Sequence, residues 1–264
     1  MKICVFTCNQ PRHLSLLEKL SKVADKVYAI QESKTVFPGK VKDFYNNSSI
    51  MNNYFEYVND AEQQLFGEID FLPSNVYQLV IKNGDASYLS LKQLKKILDA
   101  DIYITFGASY LKGEIADFLI ERRAINIHMG ISPYYRGTSC NFWALYDNHP
   151  ELVGATIHLL GRGLDSGDIL YHALPKAERI DPFLLGMKAV EVAQKSLTSR
   201  ISDKSILSFT EEKQDTSKQY RYTKNIEFTD EVAADYIKNM PDAEYVYSSL
   251  KNRDEGMFIR PFIG

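Results

Sequence analysis

Cysteine is scarce in this chain and what there is lies scattered. Cys4, Cys8 and Cys140 are the three in 264 residues, too few and too far apart for a disulfide framework or a zinc knuckle. The Cys4-x3-Cys8 spacing has a metal-like look, but residues four apart on a strand share one face, and buried packing is the expected reading of the pair. A reducing, cytoplasmic setting is the expectation. An excess of positive charge is also missing. With 31 Lys and Arg against 34 Asp and Glu, the net charge is −3, so no basic field advertises nucleic acid or an anionic membrane. No apolar run reaches spanning length, and Met1-Lys-Ile-Cys-Val-Phe-Thr-Cys has neither a signal-peptide core nor a small-residue cleavage site. Internal repeats, low-complexity tracts and the Gly-x-Ser-x-Gly pattern of a nucleophile elbow are absent as well.

The rest of the composition is ordinary. An apolar fraction of 45% with 25% charged residues is that of a soluble globular protein, long enough for one large domain with or without a small one. Strand-like and helix-like segments alternate for about two hundred residues, the signature of a parallel sheet covered by helices. Strands are expected at 2–7, 26–31, 77–81, 102–106, 124–128, 154–160 and 168–172. Helices are expected at 11–23, 51–66, 89–98, 111–120, 139–146 and 182–199. Beyond Asp203 come strand-like scraps at 206–209 and 220–223, a polar stretch at 211–218 and a helix at 229–239. The reading is α/β, with residues 1–202 forming the main domain and 203–264 a small mixed C-terminal one. The tail carries 9 Lys and Arg against 12 Asp and Glu, so it is no basic module.

The chemistry concentrates in Asn126-Ile-His-Met-Gly-Ile-Ser-Pro-Tyr-Tyr-Arg-Gly137 and in Leu164-Asp-Ser-Gly-Asp-Ile-Leu170. On a strand, Asn126 and His128 point to the same side. Asp165 sits in a turn between two further strands. An amide stabilises a developing oxyanion, an imidazole relays protons near neutral pH, and a carboxylate orients or charges the imidazole. Cys140 has no marked activator in its Thr-Ser-Cys-Asn context, so the set points to direct attack by a substrate nucleophile.

Asn-x-His, Ser-Pro-x-x-Arg-Gly, Gly-Ala-Thr-x-His and Leu-Asp-Ser-Gly-Asp-Ile-Leu together resemble the formyltransferase superfamily, strongly over about residues 100–175. The family includes methionyl-tRNA, glycinamide ribonucleotide and sugar N-formyltransferases. The resemblance implies a Rossmann-like domain and transfer of a formyl group from N10-formyltetrahydrofolate to a primary amine, with no metal. It makes Asn126, His128 and Asp165 catalytic. It places the donor against Gly107, Ala108, Ser109, Tyr110 and Leu111, against Gly130, Ile131, Ser132 and Pro133, and against Gly161, Arg162, Gly163 and Leu164. Tyr110 reads equally as packing, and His158 as site support or as a packed strand residue.

The acceptor is less constrained. After the first strand the chain has Cys8-Asn9-Gln10-Pro11-Arg12-His13 in place of a Gly-rich phosphate turn. Arg12 and His13 meet an anionic substrate there, with Asn9 beside them, or else Asn9 caps a helix and the basic pair is solvated. Arg136 is a further acceptor candidate. Tyr134, Tyr135, Phe142 and Trp143 offer rings for base stacking or belong to the core. A short acidic tail resembles the sugar enzymes more than those acting on transfer RNA, so the expected partner is a small amine on a nucleotide-linked amino sugar. Nucleic acid and membrane are not expected. A homodimer through Tyr245–Leu250, or internal packing of that segment, stays open. The alternatives are a methionyl-tRNA formyltransferase-like enzyme, a formyltetrahydrofolate hydrolase (disfavoured by the first strand starting at Lys2, with no regulatory domain before it), and a non-catalytic folate-binding module.

Overall fold

The structure, a computed structural model, describes residues 1–38, 40, 41 and 48–264. Its strands are β1 (Lys2–Cys8), β2 (Lys26–Ser33), β3 (Val76–Lys82), β4 (Ile102–Phe106), β5 (Ile125–His128), β6 (Tyr135–Gly137), β7 (Ala155–Leu159), β8 (Ile169–Leu174), β9 (Arg221–Thr223) and β10 (Phe262–Ile263). Its α-helices are α1 (Pro11–Ser21), α2 (Ser49–Phe66), α3 (Gly113–Glu121), α4 (Cys140–Tyr146), α5 (Pro182–Ser202), α6 (Asp230–Asn239) and α7 (Ala243–Lys251). Among the described residues, eight strands form one sheet in the order β10-β8-β7-β5-β4-β1-β2-β3, while β6 and β9 pair separately. The sheet is mostly parallel; only β7 runs antiparallel to both of its neighbours, β5 and β8. This is the α/β architecture expected. No described helix is long and apolar enough to cross a membrane.

Strand periodicity covers both faces. On β1, Ile3 and Val5 join a core with Leu16, Leu17 and Leu20 of α1 and Val190, Ala193 and Leu197 of α5. Cys4 and Phe6 point the other way, into a core with Ile115 and Leu119 of α3. Cys4 and Cys8 are accordingly buried free thiols. A third cluster brings Tyr54 and Phe55 of α2 and Phe142, Trp143 and Leu145 of α4 against Phe228, Tyr236, Val246, Leu250 and Phe258. Residues after 203 therefore also supply the edge strand β10, the β9 partner of β6, and part of this cluster.

Some local expectations change. Residues 89–98 form turns and one short 3-10 segment, Lys95–Ile97, instead of a helix. Ser90 Oγ donates to Gln93 Oε1 (3.0 Å) and accepts from Gln93 N–H (3.3 Å), so the side chain competes with the helical ladder. Ser205–Ser208 is a 3-10 turn rather than a strand. Helix α7 and strands β6 and β10 were not expected. Val246 and Leu250 of α7 face the interior.

Candidate active site

Thr105, Asn126 and His158 stand side by side across β4, β5 and β7, because the register pairs Asn126 with both of the others. Thr105 Oγ1 donates to Asn126 Oδ1 (2.5 Å), and Asn126 Nδ2 donates to His158 Nε2 (2.9 Å). His158 Nδ1–H in turn donates to Leu159 O (2.7 Å). These contacts fix which end of the Asn126 amide presents its N–H groups. Burial pushes His158 down to about 4, so it is neutral and its Nε2 accepts. His158 is thus tied into the site and is more than a packed strand residue.

Asp165 arrives from an unexpected direction. The loop after β7 starts beside the N-terminal end of β5, where Leu160 N–H donates to Ala124 O (2.7 Å). It then folds back along the strand, so Asp165 Oδ1 reaches Asn126 Nδ2 (3.5 Å) and His128 Nδ1 (3.3 Å). Asp165 itself has φ +46°, a left-handed conformation that Asp tolerates better than most residues. Two residues hold the loop: Gln214 Nε2 donates to the carbonyls of Asp165 and Gly167 (2.7 Å each), and Arg136 Nη2 reaches Leu164 O (3.5 Å). Gln214 lies in the tail's polar stretch, and no sequence signal marked it.

The electrostatics separate the pair. Burial opposes the charged form of His128, but Asp165 foremost, with Cys140, outweighs it and holds the imidazole well above its ordinary range. Burial would likewise raise Asp165, yet His128 foremost, then His158 and Arg136, keep its carboxyl below the usual range. Near neutral pH the pair is an imidazolium and a carboxylate, buried where such charges act strongly.

Two cavities meet here. One, of about 380 Å³, is lined by Thr105, Gly107–Gly113, Leu160–Asp165 and parts of α3. The other, of about 470 Å³, is lined by α1, α2, α4, α5, Tyr236 of α6 and His128. Gly107, Ala108, Asn126, Leu164 and Asp165 border both. Both volumes lie within the usual range of small-molecule sites, about 300–1,000 Å³. In the first cavity the Tyr110 hydroxyl donates across to Arg162 O (2.6 Å), closing one side. Ser109 lines it too, but its N–H (2.6 Å) and hydroxyl (2.7 Å) are taken by the buried carboxylate of Glu32 at the end of β2. Glu32 also accepts from the N–H groups of Gly84 and Ala86, and so anchors this wall from below.

Gly107–Leu111 and Gly161–Leu164 therefore line the first cavity. Gly130, Ile131, Ser132 and Pro133 border neither cavity. Ile131 is core, Ser132 O accepts from His172 Nε2 (2.9 Å), and Ser132 N–H donates to Thr156 Oγ1 (2.8 Å). Their part is to brace β5 against β7 and β8. Gly107 has φ +70°, and a Cβ there would sit 2.3 Å from His13 Nε2, so the wall needs glycine at that point.

Arg12 and His13 border the second cavity. Arg12 is bound to Glu62 of α2 through Nη1 (2.7 Å) and its own N–H (3.1 Å). His13 is buried against Phe106 and, chiefly through burial, held well below its ordinary range, hence neutral. Asn9 is outside both cavities. It exchanges hydrogen bonds with the backbone of Lys34, and residue 10, not 9, occupies the cap position of α1. Arg136 is likewise outside both, acting on the Asp165 loop. Tyr134, Tyr135 and Trp143 are core, whereas Phe142 borders the second cavity.

Residues 98–181, which hold Thr105, Asn126, His128, His158 and Asp165, match the family model described as Formyl transferase. That segment is thus similar to the formyl transferases. Over 80 residues the chain is 35% identical to the methionyl-tRNA formyltransferase of Caldanaerobacter subterraneus subsp. tengcongensis, a match covering 30% of this chain and 25% of the relative. The chain thus aligns with about a quarter of the length of that curated relative. A 4-N formyltransferase from Francisella tularensis aligns over 98% of this chain and 96% of its own, at 17% identity and a TM-score of 0.53. An N-formyltransferase from Helicobacter canadensis, solved with folinic acid and dTDP-3-aminofucose, aligns over 89% and 79% at 15% identity and a TM-score of 0.52. At such identities the structural likeness is one of fold.

Proposed function

We propose that this chain is an N-formyltransferase that moves a formyl group from N10-formyltetrahydrofolate to the amine of a nucleotide-linked amino sugar. The observation that carries this reading is the meeting of two cavities at one amide–imidazole–carboxylate set. A transfer between two bound molecules needs that arrangement; hydrolysis needs one cavity and water. The first cavity suits the donor. Its backbone edges can hydrogen-bond a flat heterocycle, its apolar floor includes Leu111 and Ala116, and Lys112 at its border is placed to meet an anionic tail. The second cavity, ringed by Tyr54, Phe142, Phe183 and Tyr236, suits the sugar of the acceptor. The Helicobacter enzyme solved with a folate compound and a dTDP-aminosugar supports the pairing of ligands.

In this reading the amine attacks the formyl carbon, and the carbonyl electrons move onto oxygen. Asn126 Nδ2 donates to that oxyanion, and the His128 imidazolium supplies positive charge beside it. The Asp165 carboxylate takes a proton from the attacking nitrogen and passes it to the departing N10. Collapse releases the formamide and tetrahydrofolate. Residues 1–202 supply the reacting groups and the donor wall; 203–264 complete the acceptor cavity through Tyr236 and hold the Asp165 loop through Gln214.

Incubation with N10-formyltetrahydrofolate and a panel of nucleotide-linked amino sugars tests the reading. Acceptor-dependent release of tetrahydrofolate supports it. Release at an acceptor-independent rate points to hydrolysis, and no release at all to a binding module. The 35% identity over 80 residues favours one second reading, a methionyl-tRNA acceptor, so the charged transfer RNA belongs in the same panel.

A further inference from the structure

The His128 ring has two nitrogens and only one faces the reaction. Nδ1 meets Asp165 Oδ1 (3.3 Å) on the cavity side. Nε2 is buried and, among the described residues, has no hydrogen-bond partner that meets normal geometry. A buried orphan nitrogen costs free energy in either protonation state, so something must serve it. The Cys140 side chain lies beside it and acts on the ring. The two are brought together by Gly130: a Cβ on this residue would lie 2.9 Å from His128 Nε2, 3.2 Å from Cys140 Sγ and 2.3 Å from Cys140 Cβ. Cys140 is itself 1% exposed, and Sγ can also donate to Gly137 O (3.5 Å).

We propose that Cys140 is a positioning residue for His128, its thiol rotating to serve the buried Nε2 in both charge states. A thiol is a weak donor and a weak acceptor. When His128 is an imidazolium, S–H points to Gly137 O and a sulfur lone pair receives Nε2–H. When His128 is neutral, Asp165 keeps the proton on Nδ1, and S–H turns to Nε2. The imidazole therefore changes charge without rotating and without leaving Nε2 alone, and Nδ1–H stays aimed at Asp165 and the reacting centre. The titratable and charged groups near the ring are Asp165 from the β7–β8 loop and, beyond it, the neutral His158 on β7, with Arg136 acting on Asp165. Because a bond from a charged donor is the stronger one, losing the thiol penalises the imidazolium more. The catalytic consequence rests on the formyl-transfer reading; the contact with His128 does not.

Nitrogen-detected NMR of the histidine rings, with His128 assigned by its absence in His128→Asn, tests the contact directly. We expect Cys140→Ala to lower the pH midpoint of His128, and Cys140→Ser to return it toward wild type, since a hydroxyl rotates and hydrogen-bonds in the same two ways. In formyl transfer, Cys140→Ala should lower kcat about tenfold, shift the alkaline limb of its pH profile to lower pH, and leave both KM values within about twofold. A His128 titration in Cys140→Ala that overlays wild type overturns the proposal. So does a Cys140→Ser protein that titrates like Cys140→Ala. If wild type transfers no formyl group, the function falls, while the NMR titration still decides the role of Cys140.

Discussion

The two cavities that meet at Asn126 are walled in different ways. The cavity proposed for the donor is lined largely by two loops, Gly107–Gly113 and Leu160–Asp165, tied by Tyr110 to Arg162 O and by Ser109 to Glu32. The cavity proposed for the acceptor draws much of its lining from side chains of five helices, with Tyr54, Phe142, Phe183 and Tyr236 packed mostly edge to face around it. A backbone wall recognises a ligand through groups that every residue has. A side-chain wall recognises it through shape that a few substitutions would change. On the proposed formyl-transfer reading the difference separates a constant donor from a variable acceptor, and it can be tested one wall at a time.

The largest effect belongs to the shared boundary. Asp165→Asn removes the proton acceptor and the partner that charges His128, so kcat should fall on the order of 10³-fold with both KM values little changed, measured as tetrahydrofolate release. The pH profile of wild type should be a plateau. Asp165 is depressed, so the rate falls as pH drops through its lowered value; His128 is raised, so the rate falls again as pH rises through its elevated one. A single limb would mean that one of the two is not required in its charged form.

Next comes the side-chain wall. Phe142→Leu should raise the acceptor KM about tenfold, the scale of a shape change in an apolar pocket, and leave the donor KM within about twofold. Equal changes in both would mean that the cavities are not separate binding sites. A smaller effect is expected at the backbone wall: Tyr110→Phe loses one hydrogen bond across the mouth, about 1 kcal/mol, so the donor KM should rise a few-fold with the acceptor KM unchanged.

The smallest effect reads the brace beneath. His172 is buried, accepts from Ile259 N–H at Nδ1 (2.9 Å) and donates from Nε2 to Ser132 O (2.9 Å). A second ring proton would face an N–H, and burial pushes this group down to about 4 from an ordinary 6.5. A lowered folded value means the unfolded chain takes up the proton first. The stabilisation is complete above about pH 6.5 and is lost as pH falls towards 4. Thermal melts should show Tm declining across that window, and His172→Gln should flatten the decline.

The outcomes track how far along the chain each part was gathered. Asn126 and His128 are two residues apart on one strand, so periodicity alone puts them on one face. Gly107–Leu111 follows the end of β4, where open α/β sheets bind ligands, and it lines the donor-side cavity. Gly130–Pro133 borders neither cavity because nearness in sequence to His128 is not nearness to a cavity: the chain turns inward after β5, and these residues brace neighbouring strands. Cys140 had no local activator in sequence, since the imidazole it meets is twelve positions away and Gly130 draws the two together. Gln214 and Glu32 left no signal, because a polar residue in a loop or at a strand end reads the same whether it holds a catalytic loop or faces water.

The sequence by itself determined the α/β alternation, the shared face of Asn126 and His128, and the loop segments that line the first cavity, because these depend on local periodicity and on motifs whose parts are close along the chain. Only the tertiary structure decided that the β7–β8 loop doubles back to bring Asp165 onto β5, that His158 orients Asn126, and that the acceptor-side cavity joins α1, α2, α4, α5 and α6. Those contacts join residues separated by tens to more than a hundred positions. Their partners are selected by the burial of whole helix faces, a property of the assembled core that no short stretch of chain contains.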